Sequence, residues 1–291
     1  MKRKTTGDVL FELFVSVLLA VILVVTLYPF LYVVFASFSD PYRVVTEAGP
    51  MFWFKGFTVE TYLDVLDTKD IWTGFRNSVM YVIVGVSINI TLTILGGYAL
   101  SRKQLKIRNV VMLGIVFTMI FKGGLIPNYI LVRQLNMYNT IWAIVLPSAI
   151  NTMNLVIMRT GFAAVPADLE ESAKIDGASD FTTLTKIALP VTASTVTTLI
   201  MYYAVTRWNA WFSAYIYIRN RQLLPLQIIL REILIEDNTG TMKDGANAAE
   251  VYRAETFKYC TIVISTLPIL IVYPFIQKFF GKGVMVGAIK G

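Results

Sequence analysis

The side chains best suited to chemistry in this chain are five carboxylates that stand close together in one short segment. They are Asp168, Glu170, Glu171, Asp176 and Asp180. Clustered carboxylates can act as general acids and bases or hold a metal ion. The chain has no His and one Cys, which excludes His-ligated metal sites, Ser–His and Cys–His nucleophiles, and a disulfide framework. Any chemistry in this segment would have to use the carboxylates without His or Cys partners. Their spacing instead favours a structural role.

That spacing places three of the carboxylates in the first turns of a short helix, where the helix dipole favours negative charge. Pro166 suits the start of a helix, because its missing N–H would have no partner there. Glu170 and Lys174 form an i,i+4 pair in the favourable order. Gly177 stands where a left-handed cap would end the helix. The sequence therefore predicts a helix over Ala167–Asp176, with no catalytic residue and no metal site.

One face of this predicted helix carries mostly small side chains. Leu169, Ser172, Ala173 and Asp176 share it. Small side chains let a helix lie deep in a groove on another protein. The alternative is a helix that lies on lipid headgroups, which would prefer Lys or Arg on its polar face and bulky apolar anchors on the other. The acidic, small-faced pattern favours docking to a protein.

The composition indicates a membrane protein. Of 291 residues, 56% are hydrophobic and 15% are charged, whereas soluble proteins average about 25% charged residues. The net charge of +7 would also suit a nucleic-acid-binding protein. However, the basic residues form short clusters beside apolar runs and no continuous stripe, so the membrane interpretation is favoured.

Long uncharged runs predict an all-α polytopic membrane protein with six transmembrane helices. A spanning helix needs about 20 mostly apolar residues. The third run reaches this length if its helix continues past Lys122 with a kink at Pro127, and the fifth if it continues past Arg207. We expect one domain over 1–291 with a cytoplasmic loop at 160–189. The predicted spans are 11–37, 77–101, 109–132, 138–158, 190–218 and 257–280.

Charge near the span ends predicts the orientation. Lys2–Lys4 precede the first span, and Arg102–Arg108 carry four cations and no acid, whereas Asp40–Asp70 carry six acids and three bases. We therefore expect both termini, and the acidic loop around Gly177, on the cytoplasmic side. The first apolar run is too long for a cleavable signal peptide, and no small-residue cleavage site follows it.

The same acidic loop carries a family resemblance. Glu171-Ser172-Ala173 is followed at fixed spacing by Gly177 and by Ile187-Ala188-Leu189-Pro190. This pattern resembles the cytoplasmic coupling loop in the membrane subunits of binding-protein-dependent ABC importers, with Ser172 in place of the usual alanine. Phe117–Thr140, Trp208–Phe212 and Gly281–Gly291 resemble the maltose-type carbohydrate permeases, in the branch for complex oligosaccharides or polysaccharides.

The resemblance implies a permease subunit in a bacterial cell membrane. It implies a second permease that is a different chain, two cytoplasmic ATPase subunits, an extracytoplasmic solute-binding protein and a carbohydrate cargo. ATP and Mg would be bound by the ATPase, since Gly281-Lys282 lacks the Ser or Thr and the spaced glycine of a phosphate-binding loop. The residues expected to contact the ATPase are Leu169, Glu170, Glu171, Ser172, Ala173, Asp176, Gly177 and Ala178.

Polar and aromatic side chains at membrane depth are candidates for the transport pathway, because such groups usually face a cavity or the bundle interior. Aromatic faces and hydrogen-bonding groups suit the apolar faces and hydroxyls of a sugar. Three alternatives stay open: an interfacial aromatic belt, hydrogen bonds between helices, and a snorkelling or paired arginine. The candidates are Asn151, Asn154, Tyr202, Tyr203, Arg207, Trp208, Asn209 and Trp211.

Two other functional classes fit less well. An integral membrane enzyme, such as a lipid-linked sugar transferase, would need acidic or His residues free for chemistry, whereas the clustered acids here belong to a capped helix. An ion-coupled transporter or channel would often show inverted repeats and buried acids. No acidic residue stands in the central part of any predicted span.

Overall fold

The computed structural model describes residues 6–47, 49–240 and 248–288, and in these ranges the chain is all-α. The described residues form no strand, and one isolated antiparallel bridge joins Ser39 to Phe57. In chain order the α-helices are α1 (Thr6–Ser37), α2 (Pro41–Thr46), α3 (Glu60–Asp67), α4 (Lys69–Ser101), α5 (Arg108–Ile120), α6 (Leu125–Gln134), α7 (Ile141–Val145), α8 (Thr152–Ala163), α9 (Ala167–Ile175), α10 (Asp180–Thr183), α11 (Leu189–Val191), α12 (Ala193–Trp208), α13 (Phe212–Tyr217), α14 (Leu226–Gly240) and α15 (Ala248–Ala288).

Three helices are long and apolar enough to cross a membrane: α1, α4 and the stretch 249–271 of α15. Three further pairs qualify only if each bent pair counts as one span, which brings the total in the described residues to as many as six. The bend is 114° between α5 and α6, 52° between α7 with its 3₁₀ extension and α8, and 84° between the α10–α11 segment and α12.

The third predicted span differs from its expected form. We expected one helix kinked at Pro127, but α5 ends at Ile120 and α6 begins at Leu125. Gly124 has a φ of 85°, which lies in the left-handed region and cannot continue a right-handed helix. Pro127 belongs to the first turn of α6, where a missing N–H is tolerated. The glycine therefore breaks the span, and the proline helps to start the next helix.

The chain divides into two compact units, Met1–Lys69 with Leu230–Thr266, and Asp70–Ile229 with Leu267–Gly291. The single domain expected over 1–291 stays a prediction. In the first unit Ala36, Val44 and Met51 form a small core. Cys260 is fully buried there, and its Sγ donates to the carbonyl of Ser37 at 3.2 Å. The chain's one cysteine is a packing residue.

In the second unit α4, α8, α12 and the α10–α11 segment pack around one core. Its members are Tyr98, Met158, Phe162, Leu184, Ala188 and Leu199. At Gly97 an added Cβ would lie 2.9 Å from Cγ of Met158, so α4 and α8 approach more closely than a larger residue would allow. This packing brings the C-terminal ends of α4 and α8 together, next to the segment that carries α9.

Candidate functional site

The helix predicted at Ala167–Asp176 is present as α9, Ala167–Ile175, with Asp176 as its C-cap. Gly177 has a φ of 78°. The N–H of Ala178 donates to the carbonyl of Ala173 at 2.9 Å, and the N–H of Gly177 donates to Lys174 at 3.1 Å. This pair of bonds is the Schellman arrangement, which requires a left-handed residue that glycine adopts without steric cost.

The inner face of α9 is held by an arginine that follows α4. The Arg102 guanidinium pairs with the Glu170 carboxylate, and its Nη2 donates to the carbonyl of Phe162, at the end of α8, at 3.0 Å. It lies 4.5 Å above the ring of Tyr98. Both charged side chains are mostly buried, at 18% and 14% exposed, so these charge-assisted bonds are stronger than a surface pair. We call this arrangement the Arg102–Glu170 clasp.

The clasp turns one residue of the expected docking face of α9 inward and leaves the other three exposed. Ala173 faces inward and is 7% exposed, because it stands three residues after Glu170 on the same side of the helix. Leu169, Ser172 and Asp176 are exposed as expected, together with Glu171.

The outer face also carries Ile175, which is 86% exposed, and Phe181, at 68%, follows soon after in α10. We did not anticipate these two residues. The available signal was a large apolar residue, Ile175, one turn after Glu171 in an otherwise charged helix.

The second group of predicted residues surrounds the break between α7 and α8. Arg207 of α12 is 8% exposed. Its guanidinium donates to Oδ1 of Asn89, through Nε at 3.1 Å and Nη2 at 3.0 Å. It also donates to the carbonyls of Ile144, Val145 and Ser148 at 2.8, 3.0 and 3.1 Å. These carbonyls belong to the end of α7 and the 3₁₀ turn that follows it, where no helical N–H is available for them.

Asn89 completes this cap from α4. Its Nδ2 donates to the carbonyls of Ser148 at 2.8 Å and Ala149 at 2.7 Å. At Gly85, one turn earlier in α4, an added Cβ would lie 2.9 Å from Nε of Arg207, so the glycine leaves room for the guanidinium. Buried irregular backbone at membrane depth requires such partners. We call Arg207 and Asn89 the carbonyl cap.

The other side of the break is held in the same way. Oη of Tyr203 lies 2.7 Å from Oγ1 of Thr93 and accepts from the backbone N–H of Asn151 at 3.2 Å. Oδ1 of Asn151 in turn accepts from the N–H of Asn154 at 3.0 Å, which makes Asn151 the N-cap of α8. Thr93, which we did not predict, stands one turn after Asn89 on α4.

The structure thus brings together Asn151, Asn154, Tyr203 and Arg207. It favours hydrogen bonding between helices as the use of Asn151, Tyr203 and Arg207, whereas Asn154 takes part through its backbone N–H within α8. The remaining predicted pathway residues do not join this group. Trp208 is buried against Phe75, with ring centroids 5.9 Å apart, and its Nε1 has no partner within the described residues. The others, Tyr202, Asn209 and Trp211, are exposed.

Known proteins resemble this chain over nearly its whole length. The polygalacturonan/rhamnogalacturonan transport system permease protein YtcP of Bacillus subtilis is 36% identical over 287 residues, which cover 97% of this chain and 99% of that protein. Protein LplC of the same organism is 38% identical over 268 residues, which cover 92% and 90%.

A crystal structure of a bacterial ABC transporter involved in the import of the acidic polysaccharide alginate contains a similar chain. It matches with a TM-score of 0.86 and 30% identity, and the match covers 96% of this chain and 100% of that one. Residues 105–286, which include α9, the clasp partner Glu170 and Arg207, match the family described as the inner membrane component of binding-protein-dependent transport systems. The chain therefore belongs to the family of inner-membrane components of binding-protein-dependent transport systems.

Proposed function

We propose that this chain is one of two permease subunits of an ATP-driven importer, and that its cargo is an oligosaccharide or polysaccharide. The second permease is a different chain, and an extracytoplasmic binding protein delivers the cargo. The similarity to YtcP and to the alginate transporter supports the carbohydrate class. The chain crosses the bacterial cell membrane several times, with both termini in the cytoplasm.

The observation that carries this proposal is the two-sided use of α9. Its inner face is tied to α4 and α8 through the Arg102–Glu170 clasp. Its outer face presents Glu171 and Ile175 to solvent. A helix tied on one side and unoccupied on the other is suited to carry the movement of a docked protein into the chain. We propose that this docked protein is one of two cytoplasmic ATPase subunits, which bind the ATP and Mg.

The path from α9 into the membrane runs through two helices. Arg102 connects α9 to the end of α4, and the segment from Asp180 to Val191 connects it along the chain to α12. These helices carry Asn89 and Arg207, which together hold the break between α7 and α8. A shift of α9 that moves α4 and α12 relative to each other would therefore change the hydrogen bonds of the carbonyl cap. This supports α9 as the input of the transport cycle.

The experiment replaces the glycine that ends α9. In Gly177→Val the side chain would have open space but an unfavourable φ of 78°, which costs about 1–2 kcal/mol. We expect the assembled importer to insert normally, while carbohydrate uptake per ATP hydrolysed in vesicles falls about fivefold or more. Gly114→Val is the matched control, because Gly114 also has open space around it but lies inside α5 without a positive φ. Unchanged coupling in an assembled Gly177→Val importer would contradict the proposal.

A further inference from the structure

Arginines of the second unit gather at the end of α4 that is remote from α9. Ser101 and the Arg102–Glu170 clasp mark one end of this 33-residue helix, and the other end lies about 50 Å away. There Arg221 pairs with Asp70, with Nε and Nη2 at 2.9 and 2.7 Å from Oδ2. We call this region the remote end of the second unit.

Asp70 is the acid of the second unit at this end. Neither 71–167 nor 181–231 contains an Asp or Glu, and 267–291 contains none either. The unit's other five carboxylates all stand in the segment Asp168–Asp180, around α9. Since Arg221 occupies Asp70, the nearby Arg219 and Arg133 have no carboxylate of this unit to pair with. Arg133 lies 5.7 Å from the centroid of the Tyr138 ring, and neither arginine forms an ion pair within the described residues, so their positive charge is available to a ligand.

Arg219 is held in place by its neighbours. Asn139, with a φ of 60°, accepts from the backbone N–H groups of Arg219 and Asn220 through Oδ1, at 2.9 and 2.8 Å. Nε of Arg219 donates to Oη of Tyr138 at 3.1 Å, and this bond raises the pKa of the Arg219 guanidinium. The two terminal amino groups of the guanidinium have no protein partner within the part of the chain that the structure describes.

Beside Arg219 lies a cavity of about 300 Å³, a volume at the lower limit of typical small-molecule sites. Tyr129 of α6 and Tyr215 of α13 form its aromatic walls. The ring of Tyr129 is stacked on the buried Tyr217, with centroids 6.1 Å apart and planes 13° apart, so this wall is rigid. The lining residues are Leu125, Ile126, Tyr129, Tyr215, Ile216 and Arg219.

We propose that this cavity recognises an acidic sugar residue. The free amino groups of Arg219 bind the carboxylate of a uronate, because a guanidinium fork matches a carboxylate. The apolar face of the sugar ring lies against Tyr129 or Tyr215. The inference rests on the proposed function and deepens it: the cargo is a polyuronate, and this subunit reads its charge at the end remote from α9.

The test compares two probes, trigalacturonate and its fully methyl-esterified form, in which each negative carboxylate is replaced by a neutral methyl ester. Binding is measured by calorimetry on the full chain, co-purified with its partner subunits in nanodiscs. We expect the wild-type importer to bind the acid more tightly than the ester. Arg219→Gln should lower the affinity for the acid about five- to tenfold, which is the effect of one partly exposed charge-assisted bond. The same variant should lower the affinity for the ester less than about twofold.

Arg221→Gln is the matched control. It also removes one positive charge, only two residues from Arg219, but the Arg221 guanidinium is already paired with Asp70. It should change the binding of either probe less than about twofold. Arg219→Lys keeps the positive charge but lacks the planar pair of guanidinium donors, so it should lower the affinity for the acid by an intermediate amount. Tyr215→Leu should weaken both probes alike. Three results would overturn the site. Arg219→Gln could weaken the binding of the acid and of the ester equally, or Arg221→Gln could weaken the binding of the acid as much as Arg219→Gln does. The third is that neither probe binds the wild-type importer.

The two proposals fail separately. ATP-driven uptake of trigalacturonate in vesicles with an unaltered charge preference in Arg219→Gln would leave the import function standing and overturn the cavity. Binding that depends on Arg219, without any ATP-driven uptake of carbohydrate, would overturn the import function and keep the cavity.

Discussion

Arg207 shows how one residue can satisfy several buried backbone groups at once. A guanidinium has five N–H donors in a fixed plane, and in this chain those donors reach three carbonyls and the Asn89 amide oxygen. Helix C-termini also favour a nearby cation. The charge that would be costly facing lipid is therefore used to close the end of a broken helix. Lysine, with one point charge, could not cover this set of acceptors.

Arg207→Met should destabilise the protein strongly, because it leaves buried carbonyls without donors. We expect the free energy of unfolding to fall by about 3 kcal/mol or more, and Asn89→Leu to lower it by about 2 kcal/mol. Because the two residues share their acceptors, the double variant should lose less than the sum of the two. Thermal unfolding of the purified protein in detergent measures all three.

Arg76→Met is the control for the loss of charge, since Arg76 is exposed on α4 and should change stability by less than about 0.5 kcal/mol. If Arg207→Met keeps wild-type stability but lowers uptake, Arg207 belongs to the transport pathway and the carbonyl cap is not its main use.

Among the helices, α9 is the one whose ends and faces are most fully determined. Its start is set by Pro166 as N-cap, and its end by the left-handed Gly177. Its orientation is set by the clasp, since Glu170 must point toward Arg102. A nine-residue helix is marginal by itself, so these contacts, more than helix propensity, keep it formed and directed.

Glu170→Lys should loosen α9 from the second unit. The substitution replaces a partly buried ion pair with two like charges. We expect amide hydrogen exchange over 167–178 of the full chain in nanodiscs to rise about tenfold. Glu171→Lys makes the same change on the exposed face of the same helix and should leave exchange there within about twofold. Equal exchange in both variants would mean that the clasp does not hold α9.

Within the second unit, the carboxylates are distributed unevenly along the direction of α4. The carboxylates of the second unit other than Asp70 gather around α9 at one end, and at the remote end Arg219, Asn139 and Tyr138 form a cationic and aromatic surface. This distribution suits the two contacts proposed above, because α9 offers carboxylates to a docked ATPase and the remote end offers guanidinium groups to an anionic cargo. The orientation of the chain in the membrane can be tested directly.

Single cysteines in a Cys260→Ala background test that orientation. At Lys103 and Ser179 they should be closed to a membrane-impermeant maleimide added to intact cells, and at Asp64 and Asn220 they should react. All four positions are exposed in the structure, so lack of reaction reports sidedness. Opened cells, in which all four should react, provide the control. External labelling at Ser179 would remove the ATPase contact from α9.

Much of α9 follows from the sequence alone. Its start and its C-terminal stop at Gly177 depend on residues within one or two turns of each other, and such local features can be predicted from spacing. The predicted Glu170–Lys174 pair is not formed within the described residues, because Glu170 pairs with Arg102. The apolar runs likewise indicate membrane helices, because the length of a span is set by the thickness of the bilayer. The break at Gly124 was less visible, since a glycine pair in an apolar run does not reveal its φ.

The tertiary structure decided what the polar residues do. Arg207 and Asn89 are 118 residues apart, and the carbonyls they cap belong to a helix end some 60 positions from each. No local spacing specifies that meeting, so pathway, belt and interhelical bonding stayed open as alternatives. The same holds for the inward turn of Glu170 and Ala173, which depends on Arg102 reaching α9 from the end of α4. Sequence determined which segments are helical and where α9 stops, because those are short-range properties. Packing determined which side chains hold the fold and which remain free for a partner or a ligand, because burial is a property of the assembled helices.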